Sequence, residues 1–143
     1  METKVIGLDV YGTILPSRGK QVKRKGLDEF LTKCINEKLI LCTCSDAETK
    51  SVLRDFIEAG LKADYFDKFF KMERKSPKYR KEPKDFNPIL VHYNLKPREL
   101  LIIGDREKRD IEPAKKLGCN TFHIPVYFKS NYNEFNMEEI KLK

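Results

Sequence analysis

Acidic residues recur in this chain where apolar runs end. In "GLDVYGTIL", Gly7 to Leu15, the carboxylate of Asp9 stands at the exit of a hydrophobic run and is followed by Tyr11, Gly12 and Thr13. Asp105 follows the apolar run "LLIIG", and Asp110 lies just behind it in "GDREKRD". A third run, "LILCTC", ends on the hydroxyls of Thr43 and Ser45. Carboxylates brought together repel, and their usual compensation is a hard cation such as Mg²⁺, which takes oxygen ligands and keeps some of its water. A carboxylate that is also free to attack makes a covalent mechanism available. Each residue alone has a plainer role: Asp9 as a turn cap, Ser45 as a helix N-cap, Asp110 as a surface acid. Their joint placement at strand ends is what points to a site.

The elements that must position them follow from periodicity. "KVIGLDV" is an apolar run of strand length, and Leu27, Phe30, Leu31, Cys34 and Ile35 recur at helical spacing, which predicts a helix over Gly26 to Lys38. "LILCTC" reads as a second strand. Ser45-Asp46-Ala47-Glu48 matches a capping box for a helix with Val52, Leu53, Phe56 and Ile57 as its stripe and Gly60 as its stop. "YFDKFFKM" is of strand length, and Pro77 and Pro83 argue against regular helix in the loop that follows. Asp85 and Pro88 open a helix through about Tyr93, "LLIIG" is a strand, "EPAKKLG" is a helix ending at Gly118, and "NTFHI" is a strand. The tail from Val126 reads as peripheral, with a short helix near Met137 to Leu142. Strands alternating with helices predict a parallel sheet covered on both faces, and such sheets bind ligands where the carboxyl ends of the strands emerge.

Composition narrows the setting. A chain of 143 residues, 40% hydrophobic and 36% charged, predicts a single domain over residues 1–143 with a real core. No apolar run approaches the roughly 18 residues of a membrane span. The start "METKVIGLDV" lacks the pattern of a secretion signal, and Cys34, Cys42, Cys44 and Cys119 show no Cys-x-x-Cys pair and no nearby His. A cytoplasmic protein with buried, reduced thiols is expected. His92 and His123 read as structural. The formal net charge of +7 is uneven. Arg18, Lys20, Lys23, Arg24 and Lys25 crowd one loop, and Lys71, Arg74, Lys75, Lys78, Arg80, Lys81 and Lys84 crowd another against Glu73 and Glu82. Such clusters raise the local concentration of anionic ligands. For any one lysine among them a solvated surface is the plainer account.

With these residues in place, the chain resembles the haloacid dehalogenase superfamily of hydrolases, on ordered motifs running from Asp9 to Gly118. Asp-x-Asp-x-Thr after a strand appears as Asp9-Val10-Tyr11-Gly12-Thr13. The Ser or Thr after the second strand is Ser45, with Thr43 the second choice. The Lys before the last motif is offered by Lys81 in "KEPKDF", with Lys75 as the fallback, and the last motif is "GDREKRDIEPAKKLG". The intervals from Asp9 to Ser45 and from Ser45 to Lys81 are already filled by secondary elements, so the likeness is to capless members, the small magnesium-dependent phosphatases above all. It implies an α/β three-layer sandwich with a mainly parallel, Rossmann-like sheet.

The resemblance also implies chemistry. Asp9 would attack phosphorus to form an aspartyl phosphate, and Asp9, Asp105 and the Tyr11 carbonyl would hold Mg²⁺, with Asp110 completing the set or orienting Lys81. Ser45 and Lys81, with Gly12 and Thr13, would bind the phosphate of a small molecule or of a macromolecule. The departure is Tyr11, where phosphatases of the family carry the second Asp, the acid and base of the reaction. A phenol with an ordinary pKa near 10 is a poor base at neutral pH, and losing acid–base help costs about 10²–10⁴ in rate. Two other readings stay open: a metal-free 2-haloacid dehalogenase, in which Tyr also occurs at this position, and a weakly catalytic module that binds phosphate or nucleic acid through the basic loops.

Overall fold

The expected alternation is realised as a parallel sheet with helices on both faces. A computed structural model describes residues 2–73 and 82–142. Strands β1 (Val5–Leu8), β2 (Ile40–Ser45), β3 (Lys68–Lys71), β4 (Leu100–Gly104) and β5 (Asn120–His123) form one sheet in the order β3-β2-β1-β4-β5. Every neighbouring pair is parallel. The helices are α1 (Leu27–Asn36), α2 (Thr49–Ala59), α3 (Asn87–Tyr93) and α4 (Glu112–Leu117). Among the described residues, no cap domain interrupts this order.

Side chains alternate across each strand, so each face of the sheet has its own core. Ile6, Leu8, Leu41, Leu101 and Ile103 pack with Leu27, Phe30 and Leu31 of α1 and Val52 and Phe56 of α2. Val5, Cys42, Cys44, Leu100 and Ile102 pack with Ile89 of α3 and Ala114 of α4 on the other side. Burial on both faces is why these strands read as continuous apolar runs. All four cysteines are buried and unbridged, as expected. Burial pushes the Cys34 and Cys42 thiols up to about 12 and that of Cys119 up to about 11, which keeps them unreactive. Among the described residues, no helix is long and apolar enough to cross a membrane.

Three local expectations are corrected. The capping box at Ser45 does not form: Ser45 is still strand, α2 starts at Thr49, and Glu48 occupies the N-cap position. The Ser45 hydroxyl instead accepts a hydrogen bond from the Ala47 N–H at 3.1 Å. The tail is not peripheral, because Tyr127, Met137 and Ile140 are buried and the last two belong to the α1/α2 core. Its helix is only a 3₁₀ turn over Met137–Glu139. Arg24, counted above in the first basic loop, is buried between the rings of Tyr127 and Phe135, its guanidinium carbon 5.2 and 5.0 Å from their centroids.

Candidate active site

The order of the strands places β1 at the centre, with the chain passing to β2 on one side and returning to β4 on the other. That reversal opens a crevice at the carboxyl ends of β1 and β4, and the residues that leave the two strands there are Asp9 and Asp105. Asp9 stays tied to the ladder through its N–H, which donates to the Ile103 carbonyl at 3.1 Å. The chain then folds tightly, with the amides of Thr13, Ile14 and Leu15 all directed at the Val10 carbonyl. Gly12 takes φ 87°, and a Cβ there would lie 2.6 Å from Asp105 Oδ2, so only glycine lets the turn approach that carboxylate.

The turn delivers the Thr13 hydroxyl to 3.0 Å from both Asp9 Oδ2 and Asp105 Oδ1. Beyond β4, a π-helical turn over Glu107–Ile111 swings Asp110 back onto Gly104. A Cβ on Gly104 would sit 2.6 Å from Asp110 Oδ2. One carboxylate oxygen from each of Asp9, Asp105 and Asp110 lies within 4.8 Å of the others. Hard oxygen donors at this spacing suit Mg²⁺, and the donor set therefore fits the cation the sequence calls for.

A residue the spacing did not single out completes the site. The Lys84 side chain is 2% exposed, and its ammonium lies 2.6 Å from Asp9 Oδ1 and 2.8 Å from Asp110 Oδ1, while it donates to the Cys44 carbonyl at 2.8 Å. Two of its donors are thereby used in hydrogen bonds, and its charge faces the second carboxylate. Its segment is pinned by Arg109: the Lys84 N–H donates to the Arg109 carbonyl, and Arg109 Nε donates to the Glu82 carbonyl, each at 3.0 Å. Arg109 also pairs with Asp46 at 3.0 Å, tying the segment to the end of β2. Lys81 and its fallback Lys75 lie outside the described residues. A usable signal for Lys84 was present in "KEPKDF": an extended segment beside Pro83 puts Lys84 on the same side as the apolar Phe86, and both are buried.

Electrostatics follow from this packing. Burial by itself would raise the Asp9 carboxyl, but the Lys84 ammonium and the bond shared with Asp105 outweigh it, and the group lies below its ordinary range. Asp105, raised first by burial and then by the Asp9 charge, is pushed up to about 7. The Lys84 ammonium is raised despite its burial by Asp9 and Asp110. At neutral pH the site therefore holds one firmly ionised carboxylate against one firmly charged amine.

Of the remaining expected residues, Ser45 leaves the sheet at the same edge, since the register pairs Leu8 with Thr43. Thr43 is a buried strand residue. The amides of Gly12 and Thr13 are spent on the turn, to the carbonyls of Leu15 and Val10. Tyr11 is engaged elsewhere, its hydroxyl donating a short hydrogen bond to Asp55 of α2. Burial, and then that carboxylate, raise the phenol further above its ordinary value. Asp55, too, was not foreseen, because nothing local marks a helix position that faces a loop from another part of the chain.

Residues 13–124 match the haloacid dehalogenase-like hydrolase family. The chain belongs to this family. The match begins just past Asp9, so the first carboxylate takes its place from geometry. No protein of curated function matches the sequence. Among solved structures the chain is similar to CbbY from Rhodobacter sphaeroides in complex with xylulose-(1,5)bisphosphate, with a TM-score of 0.70, 11% identity and coverage of 96% of this chain and 91% of that one. It is also similar to a predicted phosphoglycolate phosphatase from Haemophilus somnus, with a TM-score of 0.67, 16% identity and coverage of 88% and 90%. The N-terminal part of BF1531 from Bacteroides fragilis, containing a phosphatase domain complexed with Mg, aligns at a TM-score of 0.63 and 18% identity over 92% of this chain and 38% of that one. At these identities the likeness establishes the haloacid dehalogenase core fold.

Proposed function

We propose that this hydrolase is a Mg²⁺-dependent phosphatase working through an aspartyl phosphate on Asp9. The observation that carries the reading is the Asp9 carboxylate held ionised by Lys84 at 2.6 Å beside two further carboxylates. Asp9, Asp105 and Asp110, with the Tyr11 carbonyl, are the groups that would hold Mg²⁺, which supplies positive charge against the phosphoryl oxygens. Phosphoryl transfer gains chiefly from positioning and positive charge, and the chain adds to both. Lys84 gives an ammonium fixed on three sides, in the role the spacing had assigned to Lys81. Asp110 holds that ammonium in place. The Ser45 hydroxyl stands ready for a phosphoryl oxygen, and Thr13 keeps Asp9 and Asp105 in register.

Phosphate release in Mg²⁺ from a panel of phosphorylated small molecules tests the reading. Release should be lost in Asp9→Asn, because a neutral amide does not attack phosphorus. No Asp9-dependent release from any phosphate ester or anhydride, with Mg²⁺ bound, would end it. Metal-independent halide release from 2-haloacids would favour the dehalogenase alternative that Tyr11 keeps in view.

A further inference from the structure

The phosphatase reading leaves open what carries the proton to the departing group, and no described side chain in the site is free to do so. Tyr11, two positions after the nucleophile, where an acid is wanted, directs its hydroxyl at Asp55. Asp110 is 1% exposed and faces Lys84 at 2.8 Å. Asp105 shares the Thr13 hydroxyl with Asp9 and stands in the carboxylate cluster. His123 places Nε2 3.0 Å from the Asp105 carbonyl oxygen, to which it can only donate, and Nδ1 3.5 Å from Glu107. Among the described residues, the nucleophile and a cation beside it are therefore built, while a free acid and base are not.

On the phosphatase reading, we infer that the substrates are phosphates whose leaving group departs as a stable anion, mixed carboxylic–phosphoric anhydrides above all, and that the aspartyl phosphate accumulates during turnover. An alcohol leaving group has a pKa of about 16, close to that of water, so an alkyl ester needs a proton as its P–O bond breaks. A carboxylate leaving group has a pKa of about 4 and needs none. In the first step an Asp9 oxygen forms a bond to phosphorus, and the P–O bond to the acyl group breaks with its electron pair staying on the leaving carboxylate. In the second step water attacks phosphorus, the bond to Asp9 breaks, the Asp9 carboxylate is regenerated, and the water proton passes to solvent. With no free base among the described residues of the site, the second step is the slower one.

Acetyl phosphate, a series of substituted phenyl phosphates and glycerol 2-phosphate, each assayed with Mg²⁺, form the test. In the wild type, kcat/KM should fall steeply as the leaving-group pKa rises, and acetyl phosphate should give a burst of acetate approaching one per enzyme ahead of steady phosphate release. The burst should be absent in Asp9→Asn. Tyr11→Asp should raise kcat/KM for glycerol 2-phosphate by about 10²–10⁴, the range of acid–base assistance, with a far smaller gain for acetyl phosphate, and should shrink the burst. A flat leaving-group dependence in the wild type, with Asp9-dependent release from the alkyl ester, would overturn this inference and leave the phosphatase standing. No Asp9-dependent release from any of the substrates would overturn both.

Discussion

Lys84 shows how much rests on one side chain. Its ammonium is the partner of both Asp9 and Asp110 in a buried setting, and removing one member of a buried charge cluster typically costs about 3–5 kcal/mol because the remaining charges lose their compensation. Lys84→Met should lower the urea midpoint by a corresponding amount in metal-free protein and abolish phosphate release. Lys81→Ala is the comparison, and should do neither. Loss of activity in Lys81→Ala with Lys84→Met active would return the phosphate-binding role to Lys81. The two lysines sit in one basic stretch on either side of Pro83; motif distance favoured Lys81, and the burial of Lys84 is a packing outcome that distance does not record.

At the scale of the element, the site depends on two turns that press against carboxylates. Gly104 ends β4 where the π-helical turn returns, and a methyl group there would meet Asp110 Oδ2 at 2.6 Å and its Cβ at 2.8 Å. Neither the strand nor the buried, ion-paired carboxylate has room to yield. Forced overpacking of this kind costs about 1–3 kcal/mol, and Gly104→Ala should lower thermal stability by that order while displacing Asp110 from Lys84. Activity should fall more than stability alone explains, read as a lower kcat in protein that remains folded at the assay temperature. The elements themselves were legible from periodicity, since every expected strand and helix of the sheet layers is present. Their ends were less so, as the unformed capping box at Ser45 shows: β2 runs on because its residues pair with β3, Ser45 opposite Lys71, a long-range choice that outweighs a local cap.

For the whole molecule, the Mg²⁺ assignment predicts that the carboxylate cluster couples metal, proton and fold. Asp105 is raised from 3.8 to about 7 by burial and by Asp9. A carboxyl with a raised native pKa contributes stability that is fully present below about 3.8 and is lost as pH rises through about 7. Metal-free protein should therefore lose part of its stability across that window, and Asp105→Asn should remove this component. Mg²⁺ requires the ionised carboxylates, so its stabilisation should grow as pH rises through the same range. At about 100 times its Kd a ligand selective for the native state adds about 2.7 kcal/mol. Thermal melts at pH 5.5, 7 and 8.5 with EDTA or Mg²⁺ would read both effects, and a Mg²⁺ shift that is equal at the three pH values, or preserved in Asp105→Asn, would contradict the assignment.

The sequence by itself determined the class of fold, because short apolar runs alternate with stretches of helical period, and with it the gathering of Asp9, Asp105 and Asp110 at one edge, because parallel strands present their carboxyl ends together. Tertiary structure decided what those carboxylates face. The burial of Lys84, the engagement of Tyr11 with Asp55, and the insertion of Arg24 between Tyr127 and Phe135 all join residues far apart in the chain. Periodicity records which side of an element is apolar, but a buried charge is set by the partner that another element brings to it.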